Sequence, residues 1–215
     1  MVIKAIISDY DGVIVNTLPI TLEIYDQLKN DFDLKIKKVP SGDFFHCDWK
    51  ESLKKVGITK EKDLKRAEQV YIGYLHKYRG KIQLFPKIRS VLEYCSKLYK
   101  IGLVSNNRSE VIIKELKRFK LDHLITTIVD RNHSAIKPNP DQIIHCMERL
   151  NVKPNETVYI GDMDGDVQAA INAGVKCIAV SYGFHSEKML KGADFIVSRP
   201  EDIITTIKKI ENKNG

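Results

Sequence analysis

Residues 8–17 read Ser8-Asp9-Tyr10-Asp11-Gly12-Val13-Ile14-Val15-Asn16-Thr17, directly behind the apolar run Val2-Ile3-Lys4-Ala5-Ile6-Ile7. The run reads as a strand buried on both faces. It therefore delivers two carboxylates, two residues apart, at the end of a buried strand. Like charges so placed repel each other, and each raises the cost of ionising the other. A nearby divalent cation reverses that balance and makes both ionised acids favourable neighbours.

Further runs of the same kind recur along the chain: Lys100 to Ser105, Ile125 to Val129, Thr157 to Gly161, Lys176 to Ser181 and Asp194 to Val197. Their Val and Ile content predicts strands buried on both faces. Helical periodicity lies between them, over Ile88 to Leu98, Ser109 to Phe119, Asp141 to Leu150 and Asp166 to Ala173. Strands alternating with helices predict an α/β fold: a Rossmann-like three-layer core with a mostly parallel sheet. Residues 17–83 break the rhythm with helical patterns at Leu18 to Asn30 and Lys60 to Arg79, joined by the polar and aromatic segment Ser41 to Trp49. This segment reads as a small helical insert, residues 17–83, in a core made of residues 1–16 and 84–215.

The composition is that of an ordinary globular chain of 215 residues, 43% hydrophobic and 29% charged. No apolar run reaches the roughly 18 residues of a membrane span, and Lys4 and Asp9 interrupt the first one, so neither a membrane protein nor a signal peptide is expected. The scattered cysteines Cys47, Cys95, Cys146 and Cys177 form no CxxC pair. They read as reduced thiols of a cytoplasmic protein. The net charge of +7 is spread along the chain without a nucleic-acid-binding signature. A solvated lysine-rich surface with no nucleic-acid partner is the simpler reading, and such a field draws in small anions.

Open parallel sheets bind ligands at the carboxyl ends of their strands. Those ends carry Asp9 and Asp11, then Ser105, Asn106 and Asn107, then Gly161-Asp162-Met163-Asp164-Gly165-Asp166, with Lys137-Pro138-Asn139-Pro140-Asp141 in the loop ahead of the preceding helix. Alone, each piece is an ordinary turn or helix cap. Together they suit one chemistry. A few carboxylates offer the hard oxygen ligands that Mg²⁺ takes. One carboxylate can attack phosphorus, a second can shuttle protons, and a hydroxyl with a lysine can hold the phosphoryl oxygens.

The four segments DYDGVIVNT, LVSNN, KPNPD and GDMDGDVQAAINAG, in that order, resemble the motifs of the haloacid dehalogenase-like superfamily, and VSYGFHSEKMLKGADFIVSRPEDI resembles its phosphoglycolate phosphatase-like branch. The resemblance implies an Mg²⁺-dependent hydrolase of a small phosphorylated metabolite, with the helical insert, residues 17–83, as its small α-helical cap domain. By it, Asp9 is the nucleophile, Asp11 the general acid/base, and Lys137 the stabiliser of both nucleophile and phosphoryl group. Ser105 and the Asn106 backbone bind phosphate. Asp162 holds the metal with the Asp9 carboxylate and the Asp11 backbone carbonyl, and Asp166 matches the family's further acid beside it.

The same resemblance bears on rivals. True haloacid dehalogenases lack the second acid, which Asp11 supplies here. β-Phosphoglucomutase-like phosphomutases and sugar phosphatases share DGVI, but the mutases' cap-hinge histidine would fall near Thr21. Phosphonoacetaldehyde hydrolase-like enzymes need a cap lysine, which this lysine-rich insert could supply. Ser41 to Trp49 occupies the place of a specificity loop, making His46, Asp48 and Trp49 candidates for touching the leaving group. His76, His123, His133, His145 and His185 carry no motif support.

Overall fold

The computed structural model describes residues 2–32, 34, 41–132 and 135–212. Its centre is a six-stranded, fully parallel sheet of β1 (Ala5–Ser8), β4 (Lys100–Ser105), β5 (Thr127–Asp130), β6 (Thr157–Gly161), β7 (Lys176–Val180) and β8 (Phe195–Val197), in the order β5-β4-β1-β6-β7-β8. The order reverses around β1, whose two flanks pair with β4 and β6. Asp9, one residue beyond β1, therefore stands at the crevice where such sheets take ligands.

Alternate residues of β1 feed the two sides. Ile6 joins a core with α4 (Ile88–Cys95), α5 (Ser109–Arg118) and α8 (Asp202–Asn212), whereas Ala5 and Ile7 join one with α6 (Asp141–Leu150) and α7 (Asp164–Ala173). This makes three layers. The spacing of Ile143, Cys146, Met147 and Leu150 puts one apolar stripe of α6 on the sheet. In α7 the buried Ala169, Ala170 and Ala173 let the helix lie close, and it ends on Gly174 at φ 69°.

Between the first and fourth strands the chain makes a helical excursion: α1 (Leu18–Asp31), α2 (Trp49–Lys55) and α3 (Glu61–Tyr78) around Ile24, Leu28, Leu53, Leu64 and Ala67. It leaves and rejoins the sheet through an antiparallel pair, β2 (Val15–Asn16) against β3 (Gln83–Leu84). The periodicity located the six main strands but missed four elements. β2 and β3 have two residues each, too few to show alternation. α2 sits in a segment that reads as polar and aromatic, and α8 follows the last strand at Asp202. His133 falls outside the described residues. Among the described residues no helix is long and apolar enough to cross a membrane. All four cysteines are free thiols.

Candidate active site

The strand ends bring the anticipated residues to one place. Asp9 follows β1, its N–H donating to the Ile160 carbonyl at 2.8 Å. Ser105 ends β4, Asp162 follows β6, and Lys137 lies ahead of α6. Lys137 is 2% exposed, and its Nζ stands 2.8 Å from Asp9 Oδ2 and 2.7 Å from Asp166 Oδ1. Tyr159 donates its hydroxyl to the same Asp166 oxygen at 2.7 Å, while Asp166 Oδ2 accepts from the N–H groups of Asp162 and Met163 at 3.2 and 3.0 Å. Both Asp166 oxygens are thus engaged, and the carboxylate ties the lysine to the loop after β6.

Asp162 differs. Its Oδ2 accepts from Phe184 N–H at 2.7 Å, but Oδ1 is buried with no hydrogen-bond partner among the described residues. Leaving such an oxygen unpaired costs about 1–3 kcal/mol, and more for a charged group. A Cβ at Gly12 or at Gly183 would collide with the Asp162 carboxylate, so two glycines from separate loops make room for it. One oxygen each from Asp9, Asp162 and Asp166 falls within a 4.8 Å group. Three buried carboxylates, one with a bare oxygen, fit a hard divalent cation.

Electrostatics separate the first two acids. Burial pushes Asp9 up to about 7, with Lys137 pulling the other way. Burial, then the charge of Glu115, pushes Asp11 up to about 6. Burial raises Asp162 well above the carboxylate range, and the charges of Asp166 and Asp9 add to it. Burial alone would drain Lys137 of its proton, but Asp166 and Asp9 outweigh it and hold the ammonium. The Asp11 side chain is not part of the carboxylate group; it lines a cavity of about 420 Å³ with Asp9, Ser105, Asn106 and Lys137. Ser105 Oγ is buried and accepts from Asn107 N–H at 3.0 Å. Asn106 Nδ2 donates to the Cys47 carbonyl at 2.9 Å and so touches the excursion.

The excursion closes the cavity with Tyr25, Phe45, His46, Trp49 and Tyr71. Two of the three loop candidates, His46 and Trp49, line it. Asp48 does not: its carboxylate accepts from Lys50 N–H at 3.0 Å and caps α2. Three further residues matter that no motif marked. Tyr159 orients Asp166. Glu115, 3% exposed, accepts from Tyr10 Oη at 2.9 Å and pairs with Arg79 Nε at 3.0 Å. Its one sequence signal is an acid on the same stripe of α5 as Ile112 and Leu116. His185 Nδ1 accepts from Asp164 N–H at 3.0 Å, which leaves Nε2 to donate to the Phe45 carbonyl at 3.0 Å. Asp43 adds a second tie, accepting from Ser186 N–H and Oγ at 2.6 and 2.7 Å.

A parallel α/β sheet with a buried carboxylate–lysine cluster at its switch point is an arrangement suited to an enzyme of phosphoryl transfer. The sequence profile of the haloacid dehalogenase-like hydrolases matches residues 6–180, and the chain belongs to that family. It is 25% identical over 220 residues to the pyrophosphatase PpaX of Bacillus mycoides, covering 98% of this chain and 99% of that protein. Its fold matches a structure described as a predicted phosphoglycolate phosphatase from Haemophilus somnus, with TM-score 0.80, 21% identity, and 95% and 98% of the two chains covered. It matches equally a β-phosphoglucomutase from Clostridium difficile, with TM-score 0.80, 21% identity and coverage of 99% and 98%.

Proposed function

We propose that the chain is an Mg²⁺-dependent phosphomonoester hydrolase acting through an aspartyl-phosphate, with residues 17–83 as a helical cap over a core of residues 1–16 and 84–215. The observation that carries this reading is the buried trio of Asp9, Lys137 and Asp162, with a bare Asp162 oxygen beside the nucleophile. The phosphatase names among relatives agree with it.

Asp9 attacks phosphorus, forming an acyl phosphate as the ester P–O bond breaks. Asp11, kept partly protonated by its raised pKa of about 6, gives its proton to the leaving oxygen. The resulting carboxylate then takes a proton from water. That water's oxygen attacks phosphorus, releasing phosphate and restoring Asp9. Lys137 and Ser105 hold the phosphoryl oxygens as charge shifts among them. Asp9, Asp162 and Asp166 would hold Mg²⁺. When bound, the ion offsets the charge of nucleophile and substrate so that two anions can meet.

Phosphate release from p-nitrophenyl phosphate tests the reading. Asp9→Asn is expected to remove turnover with the fold retained, and Asp11→Asn to lower kcat by about 10²–10⁴-fold. Chelation with EDTA abolishes the wild-type rate. A wild-type rate in Asp9→Asn refutes the nucleophile, and an unchanged rate in EDTA refutes the metal.

A further inference from the structure

The chemistry above leaves the leaving group open, and the cavity wall opposite the carboxylates bears on it. We infer that the ester carries an apolar, ring-bearing leaving group, not a second anion. The inference rests on the phosphatase reading and deepens it.

Three observations carry it. First, the cavity holds about 420 Å³, inside the roughly 300–1,000 Å³ of pockets for organic ligands. Second, beyond the strand ends its wall includes the apolar Phe45, Trp49, Tyr71, Leu75, Ile82 and Phe184, with the acids Glu68 and Glu110 among its polar members. Trp49 and Tyr71 stack at 6.1 Å with planes 18° apart, and Phe45 meets Phe184 edge-on at 5.6 Å. The Tyr25 hydroxyl donates to the Trp49 carbonyl at 3.5 Å, so that ring offers its face and edges more than a donor. Such walls favour another ring by area and by quadrupole.

Third, among the described residues three of the four lysine and arginine side chains lining the cavity are committed. Arg79 pairs with Glu115 at 3.0 Å, Arg131 with Glu68 at 3.3 Å, and Lys137 with Asp9 and Asp166. The fourth, Arg108, is exposed to solvent, where screening weakens its hold on an anion. A second phosphate or a carboxylate in this space would have to break one of those pairs, settle for the screened Arg108 at the solvent, or lie desolvated without a counter-charge, and each is costly. Pyrophosphate and 2-phosphoglycolate both bring that second anion. An arylalkyl phosphate brings none.

Steady-state phosphate release from four probes tests this: benzyl phosphate, methyl phosphate, 2-phosphoglycolate and pyrophosphate. Benzyl and methyl phosphate both leave as simple alcohols, which limits the advantage that a more acidic leaving group confers. We expect kcat/KM for benzyl phosphate to exceed that of each other probe at least tenfold. Trp49→Ala should cut the benzyl-to-methyl ratio several-fold through KM. Leu75→Arg places an unpaired cation in the cavity and should raise kcat/KM on 2-phosphoglycolate at least fivefold, a gain that misfolding cannot imitate. Equal or better turnover of 2-phosphoglycolate or pyrophosphate by the wild type overturns the inference and leaves the phosphatase reading standing. An absence of release from all four overturns the phosphatase reading, and the inference with it.

Discussion

The two sides of the cavity are built on opposite principles. On the sheet side the side chains are polar and buried, at 6% exposure for Asp9, 2% for Lys137 and 0% for Asp162 and Asp166, and ionic or hydrogen-bonding contacts fix each of them. On the helical side the contacts are between rings, such as Tyr25 and Phe45 at 4.9 Å. Polar bonds hold reacting atoms to tenths of an ångström, which chemistry requires. Ring contacts are less directional and tolerate several shapes. On the proposed function, the comparison implies a division of labour: the sheet side would carry a reaction common to any phosphate ester, and the helical side would choose among esters.

The sharpest way to break this division is Lys137→Met. It leaves Asp9 and Asp166 without their shared cation, so it should both end turnover and cost about 3–5 kcal/mol in urea denaturation at pH 8. A variant of wild-type stability would mean that the buried network is not held by that charge.

A second test uses pH. The folded-state pKa of Asp9 is raised from 3.8 to about 7, so the protonated form favours the fold. That contribution is present in full below about pH 4 and is lost as the pH rises through 7. Asp162 is raised in the same direction. The melting temperature of metal-free protein should therefore fall between pH 5 and pH 8, by about 2–4 °C for each kcal/mol. Adding Mg²⁺ should recover it at pH 8 and do less at pH 5. Asp162→Asn should weaken both the fall and the recovery. A flat, Mg²⁺-indifferent curve in the wild type would remove the electrostatic contrast between the two sides.

The smallest effect is expected across the seam. Asp43→Ala removes two hydrogen bonds to Ser186, each worth about 0.5–1.5 kcal/mol net, and should raise KM a few-fold while kcat holds. Loss of turnover in that variant would show that the seam takes part in the chemistry.

The sheet was legible because strands buried on both faces must be continuous apolar runs, and the runs over Lys100 to Ser105 and Thr157 to Gly161 match β4 and β6 residue for residue. The polar groups were legible because each stands where such a run stops. Tyr159 was not, since a tyrosine inside an apolar strand reads as core until Asp166 is seen beside it. Glu115 and His185 draw their significance from partners far along the chain, Tyr10 and Phe45 respectively, and local periodicity carries no trace of such pairing. Asp48 misled for the converse reason: a carboxylate in a loop and one capping a three-turn-or-shorter helix look alike until Lys50 N–H is seen to donate to it.

Asp9, Ser105, Lys137 and Asp162 stand on four separate stretches of chain that meet only when β1, β4 and β6 lie side by side. Each stretch supplies one of the four. Catalysis is thus an all-or-nothing readout of assembly: a nick or deletion that spares every motif yet undocks one central strand silences the molecule, and a partly folded chain cannot act on the wrong ester while it waits.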